Sequence, residues 1–467
     1  MNLIRAMRVV ATCWSRRLEV IRFGLAHLRK YYPRLKRNFP VNIFLTMIFT
    51  MLAMAVMGYH PGLEDDGIYL SAIKKRLNPP LYPHDADFFR FQLQATIFDN
   101  WMAGFVRWTH IPLAWAELYW QAASITLILY GCWRIARRLF PEARAQWAGV
   151  AMTAAMLTLP VAGTDLYLVD QHLHPRTMAT AFILLGIERV LARRNGQTAL
   201  LLMLAFLLHP IMAALGVSFC IFLCVALRET MPLWLRGWER EAGGGVIVAA
   251  FIPLGWVFDP PNPLWRESVR MHSALCLYNW AWYEWLGAIA PLLLFWLLSR
   301  LARRQGDQLR RRFALAVAAY GAFHLALAMI LLAIPSLIRV APFQPMRFLH
   351  LVYFFMTLLG GCLLGQYLLQ ASLWRWALFL AAINGGMFLS QWMLFNSSYH
   401  LELPGRPTAN PWLQAFDWVR ENTPKDAYFA LDPEYMAAPR EDYHCFRALA
   451  ERGMLADNIK DPAVVTQ

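Results

Sequence analysis

The fold is decided by the stretch VNIFLTMIFTMLAMAVM at residues 41–57, together with HPGLEDDGIYLSAIKKRLNPPLYPHDAD at residues 60–87. The first segment is a run of apolar side chains of the kind that enters the hydrocarbon core of a bilayer. The second segment is acidic and carries Glu64, Asp65, Asp66, Asp85 and Asp87. Because a carboxylate is costly to place near lipid, an acidic cluster beside a membrane segment is usually either solvated or functional.

The composition is that of an integral membrane protein. Of the 467 residues, 58% are hydrophobic and only 16% are charged, whereas a soluble domain carries about 25% charged residues. Apolar runs recur along most of the chain, and the sequence predicts an all-α polytopic membrane protein of about 11 transmembrane helices. The predicted spans are 41–58, 112–133, 146–162, 176–192, 197–209, 211–227, 244–258, 283–299, 312–334, 347–369 and 373–395.

The segment 198–227 is apolar throughout except for His209 and Pro210, and a proline interrupts a helix. It could therefore form one kinked span or two short ones. Two spans put all the arginine clusters between spans on the cytoplasmic side, as the positive-inside rule favours. We therefore expect two spans here, with the N-terminus in the cytoplasm and the C-terminus outside.

The distribution of charge also predicts the domain organisation. The net charge of +14 does not indicate a nucleic-acid partner, because the basic residues lie in short loops between apolar runs. Residues 1–40 are basic and predict an amphipathic segment on the cytoplasmic leaflet. A transmembrane domain at 41–395 follows, with a large outer loop at 60–111, and a small α/β tail domain at 396–467 ends the chain. In the tail we expect a helix at 411–422, a strand at 428–431 and a second helix at 442–452. Within the loop, apolar residues spaced by three and four positions through 86–108 predict a helix lying in the membrane interface.

Asp65 and Asp66, with Glu64 beside them, are the leading candidates for a catalytic base. A carboxylate within hydrogen-bond reach of an acceptor hydroxyl can remove its proton. If residues 65–77 are helical, both aspartates lie at the helix N-terminus, where the dipole favours the ionised form. The same position suits a plain helix cap. Both interpretations stay open, and Asp65 is slightly favoured over Asp66 as the base.

His84, Asp85 and Asp87 form a second polar group in the same loop. They could contact a substrate, or hold Mg²⁺ or Mn²⁺ through their oxygen and nitrogen atoms. The alternative is that they only cap the start of the amphipathic helix, and no metal site is assigned to them.

Two further loops on the same predicted side carry cations and histidines. His172, His174 and Arg176 lie between two spans, and Arg339 and Arg347 lie in a proline-rich loop. Since a guanidinium matches phosphate oxygens in a bidentate way, we expect the arginines to bind a phosphate-bearing substrate. The two histidines alternate as on an extended segment, which suits a substrate phosphate or a metal. The alternative is an interfacial loop with ordinary snorkelling side chains.

An inside N-terminus, one span, an outer loop with the adjacent acids Glu64-Asp65-Asp66 and a flat helix before the second span resemble the C-type membrane glycosyltransferase superfamily, whose members use polyprenyl-phosphate-linked sugars. In the tail, AFDWVRENTPKDA at 415–427 is similar to the W-x-R-E-N-T-P-x-D-A segment of oligosaccharyltransferase catalytic subunits. Those enzymes carry W-W-D-Y-G soon afterwards, where this sequence has ALDPEY at 430–435. Transfer to protein asparagine is therefore not expected.

The resemblance implies a glycosyltransferase of the bacterial plasma (inner) membrane, which moves a sugar from a polyprenyl-phosphate carrier to a lipid or glycan acceptor. It places the catalytic acid at Glu64-Asp65-Asp66, and many members of the superfamily need no metal. Two other classes stay open. One is a transporter or flippase of a lipid-linked substrate, which should show functional charges within its spans and an internal repeat. The other is a non-catalytic relative that keeps the fold.

Overall fold

The structure is a computed structural model that describes residues 41–85, 93, 96–227, 262–271, 277–333, 337, 340–341 and 343–457. The chain divides into two compact units, Met1–Ile48 and Phe49–Gln467. Of the first unit, the described part is the opening of one helix. All features considered below belong to the second unit.

The described chain is mostly helical, with a few two-residue strands. In chain order its elements are α1 (Val41–Met57), α2 (Asp66–Leu77), α3 (Phe98–Thr109), α4 (Leu113–Leu139), α5 (Ala143–Ala155), β1 (Pro160–Val161), β2 (Leu166–Tyr167), α6 (Pro175–Leu191), α7 (Asn195–Leu208), α8 (Pro210–Leu227), α9 (Pro263–Met271), α10 (Trp282–Arg304), α11 (Gln308–Ala333), α12 (Phe348–Leu364), α13 (Leu373–Leu394), α14 (Pro411–Asn422), β3 (Tyr428–Phe429), α15 (Phe446–Ala450) and β4 (Gly453–Met454). A 3₁₀ turn at Pro345–Arg347 leads into α12, and a π turn at Gly365–Leu369 follows it.

Within the described residues, five helices are long and apolar enough to cross a membrane: α8, α10, α11, α12 with its flanking turns, and α13. The apolar helices α1 and α7 are shorter. A helix also lies at each of the other predicted spans except 244–258, which falls outside the described residues. The prediction of a helical protein with helices suited to crossing a membrane is confirmed, whereas the count of about 11 spans is not confirmed.

The predicted span 146–162 is wrong at its end. Helix α5 stops at Ala155, and Pro160 starts a strand that pairs antiparallel with β2, opposite Tyr167. Proline has no N–H to donate to a helical carbonyl, so the chain does not continue as a helix through this position. The predicted break at His209 is confirmed, because α7 ends at Leu208 and α8 begins at Pro210.

Helix α12 is the most buried of the five candidate spans, and it packs against α5. Small residues allow this close approach. A Cβ atom at Gly149 would lie 2.5 Å from the Cys362 sulfur, and one at Gly361 would lie 2.6 Å from the Ala148 carbonyl oxygen. Lipid competes for apolar surface, so helix association in membranes depends on such tight van der Waals packing.

The tail is a small α/β unit that contacts the acidic stretch at residues 60–87. Its helix α14 has the predicted limits, and Asn410 caps that helix by accepting the amide hydrogens of Trp412 and Leu413. The predicted strand at 428–431 is shorter in the structure, where β3 covers only Tyr428–Phe429 and pairs in parallel with β4. The predicted helix at 442–452 is shorter, because Asp442 adopts a left-handed φ of 63° and α15 begins only at Phe446.

The tail and α2 share one apolar core. Leu70 of α2 packs with Leu413, Phe416, Tyr435 and Phe446 of the tail, and all five side chains are buried. Burying such side chains stabilises the contact by about 1.5–3 kcal/mol each. The tail therefore fixes the helix that carries the candidate catalytic acids. The helix predicted at 86–108 forms α3 from Phe98 onward in the described residues, and its position in the membrane interface stays a prediction.

Candidate active site

The turn before α2 directs Asp66 into the protein. Its Oδ2 atom accepts the amide hydrogen of Gly62 at 2.8 Å, four residues earlier. Gly62 has a φ of +83°, and a Cβ atom there would lie 2.6 Å from a side-chain carbon of Leu449. Glycine is thus needed for both the conformation and the close contact with the tail. The result is a buried Asp66 next to a more exposed Asp65.

Asp65 is the accessible carboxylate of this pair. Its side chain is 37% exposed, and its Oδ2 atom lies 3.4 Å from Nε2 of His174. Although Asp65 occupies the N-cap position of α2, its side chain makes no capping hydrogen bond. The interpretation of this residue as a plain helix cap therefore has no support in the geometry.

His174 is held so that it can orient Asp65. The Arg176 amide donates a hydrogen bond to Nδ1 of His174 at 2.9 Å, so the proton of the neutral imidazole is carried by Nε2, which faces Asp65. Burial lowers the pKa of His174, and the nearby Arg176 charge adds to this effect. Nε2 lies 3.4 Å from the Asp65 carboxylate without forming a hydrogen bond among the described residues, so the neutral imidazole faces Asp65 without protonating it.

Asp66 lies in a different environment from Asp65. It is 3% exposed, and its Oδ1 atom lies 4.0 Å from Nε2 of His172. Burial raises the pKa of Asp66 well above its ordinary value, and the negative charge of Glu117 adds to the rise. The two neighbouring aspartates thus differ in their surroundings, and the more exposed Asp65 is the better candidate for the base.

A buried ion pair lies beneath the two aspartates. Nη2 of Arg176 donates to Oδ1 of Asp170 at 2.6 Å, and both residues are buried. Burial alone would raise the pKa of Asp170, but the Arg176 charge outweighs it and lowers that pKa. Nε and Nη1 of Arg176 and Oδ2 of Asp170 have no hydrogen-bond partner among the described residues. Buried polar atoms without partners are rare and point to a missing partner, such as water or a ligand.

Arg347 approaches the same place from the turn before α12. Its Nε donates to Gln344 Oε1 at 2.6 Å, and its Nη1 lies 3.5 Å from Nε2 of His209. Arg347 lies close enough to Arg176 for the two cations to repel each other electrostatically. We name Asp65, Asp66, Asp170, His172, His174, Arg176 and Arg347 the polar cluster.

Three of the predicted site residues contact the tail. The main chain of Glu64 pairs with Tyr443 and accepts the Cys445 thiol hydrogen. His84 is exposed and contacts the Tyr428 ring edge to face, with the ring centres 5.3 Å apart. Asp85 accepts from Arg447 at 3.3 Å and from the Met454 amide at 3.2 Å. Asp87 and Arg339 lie outside the described residues.

Some residues of this site were missed from the sequence. The Tyr69 ring lies 4.6 Å from the His174 ring, and His209, which the sequence suggests mainly as a helix break, contacts Arg347. The sequence position of Tyr69 could have indicated its place in the site. It follows Asp65 by four positions, which places both residues on one face of a helix.

The environment of His172 predicts how stability depends on pH. Burial lowers its pKa from 6.5 to about 3, so below about pH 6.5 the unfolded chain binds a proton that the folded protein does not bind. The folded protein therefore loses stability as the pH falls below about 6.5, until the pH approaches the His172 pKa of about 3. Between pH 7 and pH 5.5, His172→Gln should therefore reduce the loss of stability by about 1 kcal/mol. Thermal unfolding in detergent measures this difference, with His110→Asn at an exposed position as control. An equal pH dependence in wild type and His172→Gln would contradict the prediction.

The described chain is mostly helical, and five of its helices are long and apolar enough to cross a membrane. It also contains a buried cluster of charged side chains. Neither a family model nor a curated protein matches this sequence. The assignment of function therefore rests on the residues of the site and on what their geometry can do.

Proposed function

We propose that this protein is an integral membrane glycosyltransferase, which moves a sugar from a polyprenyl-phosphate carrier to a lipid or glycan acceptor. The observation that carries the proposal is a chain of contacts between Asp65 and both arginines: His174 lies between Asp65 and the Arg176 amide, and His209 stacks on His174 and contacts Arg347. Two cations next to a carboxylate that can act as a base are the groups that this transfer requires.

The two arginines match a phosphate leaving group. Asp170 already compensates the charge of Arg176. A phosphate would therefore compensate Arg347, whose side-chain hydrogen-bond contacts are Gln344 and His209. Arg176 has two unpartnered nitrogen atoms among the described residues, and a guanidinium binds phosphate oxygens through paired hydrogen bonds. The arginines would also stabilise the negative charge that develops on the phosphate as it leaves.

Asp65 supplies the base in this proposal. The acceptor hydroxyl oxygen attacks the anomeric carbon of the sugar, and the bond from that carbon to the phosphate oxygen breaks. The hydroxyl proton passes to the Asp65 carboxylate, and the polyprenyl phosphate leaves with the bonding electron pair. Attack from the face opposite the leaving group inverts the anomeric carbon. His174 holds the Asp65 carboxylate in place during this step.

The proposal also states in which membrane the protein lies and on which side its termini lie. We place the protein in the bacterial inner membrane, with about 11 spans, the N-terminus in the cytoplasm, and both the polar cluster and the tail on the outer face. Membrane lipids surround it, no nucleic-acid partner is involved, and the transfer step as written needs no metal. The resemblance of residues 41–110 and 415–427 to the C-type glycosyltransferases supports this proposal.

A transfer assay tests the proposed function. The purified protein in lipid nanodiscs is given a panel of radiolabelled polyprenyl-phosphate sugars with membrane-extracted lipid and glycan acceptors. Label should move to an acceptor, and polyprenyl phosphate should be released in equal amount. The nucleotide-linked forms of the same sugars are the control and should not react.

A transporter would give a different result. It would leave the donor intact and move a fluorescent lipid-linked sugar across the bilayer of a proteoliposome. Flux without donor cleavage would replace the proposal with a flippase. The absence of both activities across the panel would favour a non-catalytic relative.

A further inference from the structure

A second buried polar group lies outside the polar cluster, where the end of α1 meets the tail. It consists of His60, Glu402 and His444. Oε2 of Glu402 lies 3.6 Å from Nδ1 of His60 and 3.1 Å from Nε2 of His444. One donor atom from each residue lies within 4.8 Å of the others.

These distances suit a single metal ion. Zinc binds histidine nitrogen and carboxylate oxygen at about 2.0–2.2 Å, so neighbouring ligand atoms around a tetrahedral ion lie about 3.3 Å apart. Both distances from Glu402 Oε2 are close to that value. Two imidazoles and one carboxylate are also a known ligand set for zinc, with a fourth position left to water or another ligand.

The hydrogen bonds of His444 favour a cation at this place. The Glu441 carbonyl oxygen lies 3.0 Å from Nδ1 of His444 and can only accept, so Nδ1 carries a proton. In a neutral imidazole the Nε2 atom then presents a lone pair toward the negative Glu402. That arrangement is repulsive unless a second proton or a metal ion lies between them. A histidine held at Nδ1 by a backbone carbonyl is also the usual way in which a metal ligand is oriented.

His60 provides an independent observation. It is fully buried, and neither of its ring nitrogens has a hydrogen-bond partner among the described residues. Its Nδ1 is directed toward Glu402, and its ring stacks on Phe395 with the centres 4.3 Å apart. A buried imidazole without any partner loses the hydrogen bonds that it makes with water in the unfolded chain. A metal bond would replace them.

We propose that His60, Glu402 and His444 bind a divalent transition-metal ion, with zinc as the preferred ion, and that this ion joins the start of the acidic stretch to the tail. The backbone already brings the three ligands together. The Glu402 amide donates to the Tyr59 carbonyl at 2.9 Å, and Leu63 forms a β-bridge with His444. The ligands are thus held in place by neighbouring main-chain contacts, and the His60 amide also donates to the Gln171 carbonyl at 2.9 Å, between Asp170 and His172 of the polar cluster.

Solvent can reach this site from one side. Glu402 has a side-chain exposure of 13% and lines an open surface cleft together with Pro61, Tyr399 and Leu403. The cleft gives a path for the ion and for a fourth ligand. The ligand His60 lies six residues before Asp66 along the chain. We assign the proposed ion a structural role, and it takes part in no step of the transfer.

The competing explanation is a metal-free ion pair. Burial would lower the pKa of His444, but contact with Glu402 outweighs burial and raises that pKa to about 9. A doubly protonated His444 would then satisfy Glu402 without a metal. This explanation leaves His60 without a partner, and it predicts no dependence of stability on zinc.

Metal content distinguishes the two explanations. The full-length protein is purified without a polyhistidine tag, incubated with Zn²⁺, dialysed against buffer containing Mg²⁺, and analysed by plasma mass spectrometry. Wild type should retain close to one zinc ion per chain. His60→Gln and His444→Gln should bind zinc at least about 100-fold more weakly, because each lacks a direct ligand. His324→Gln is the matched control, since that histidine contacts Ser218 in another part of the protein.

Two measurements on wild type alone keep the test valid if a variant fails to fold. Cobalt loaded in place of zinc should show the intense visible absorption of a tetrahedral site, and Zn²⁺ should raise the thermal unfolding midpoint whereas Mg²⁺ should not. The proposal is overturned if wild type retains less than a tenth of a zinc ion per chain and shows no shift with Zn²⁺. It is also overturned if His324→Gln loses the metal as fully as His444→Gln.

Discussion

Asp65→Asn is expected to lower the turnover of a polyprenyl-phosphate sugar by about 10²–10⁴-fold, the range that a positioned general base contributes. The amide has nearly the shape of the carboxylate but cannot take the acceptor proton. Because the Asp65 side chain is 37% exposed, the substitution should cost little stability. The measurement is the initial rate of sugar transfer at saturating donor, together with the thermal unfolding midpoint of each protein.

Asp66→Asn should separate the two adjacent acids. Asp66 is buried and accepts the Gly62 amide, which an asparagine oxygen can also accept. We therefore expect a smaller loss of rate than for Asp65→Asn. Asp426→Asn, at an exposed position of the tail, is the control and should leave the rate unchanged. A loss of rate in Asp66→Asn that exceeds the loss in Asp65→Asn, with both proteins folded, would transfer the role of base to Asp66.

Much of the helical architecture could be predicted from the sequence, because the signals for it are local. An apolar run such as residues 210–227 has the length and composition of a membrane helix wherever it lies in the fold. Helix α14 also carries its own start signal, since Asn410 caps it and Pro411 occupies its first turn. The error at 146–162 has a local cause too, because hydropathy alone gave no weight to Pro160.

The polar cluster could be predicted only in part. The sequence identified Asp65, His174 and Arg347 as candidates, because charged residues beside apolar spans are conspicuous. It did not show that His174 would face Asp65, since that contact depends on how α2 and the loop before α6 pack. The contact between Arg347 and His209 joins residues 138 positions apart. The spacing of apolar residues along a sequence cannot predict a contact between residues so far apart.

The proposed metal site lay beyond sequence reasoning for the same reason. His60 and Glu402 come from opposite ends of the described chain, and their spacing resembles no metal-binding motif. A β-bridge between Tyr59 and Leu401 and another between Leu63 and His444 bring the three ligands together. Long-range main-chain pairing of this kind has no signature in a single sequence.

Arg347→Gln is expected to lower kcat/KM for the lipid-linked donor by about 10²–10³-fold, the effect of removing one group that stabilises developing charge. Arg347 is the better test of phosphate binding, because its two side-chain contacts, Gln344 and His209, are uncharged or weakly basic. Arg176 pairs with the buried Asp170, and removing that arginine alone would leave an uncompensated charge at a cost of about 3–5 kcal/mol. A defect in Arg176→Gln could therefore reflect misfolding.

Arg347→Lys separates charge from geometry at this position. A lysine keeps the positive charge but cannot form the paired hydrogen bonds of a guanidinium with phosphate, so the variant should recover only part of the lost kcat/KM. Arg375→Gln, at an exposed position at the start of α13, should behave as wild type. If Arg347 binds the phosphate, added inorganic phosphate should compete with the donor in wild type and much less in Arg347→Gln. An unchanged kcat/KM in Arg347→Gln would instead remove this arginine from the site and leave Arg176 as the cation beside Asp65.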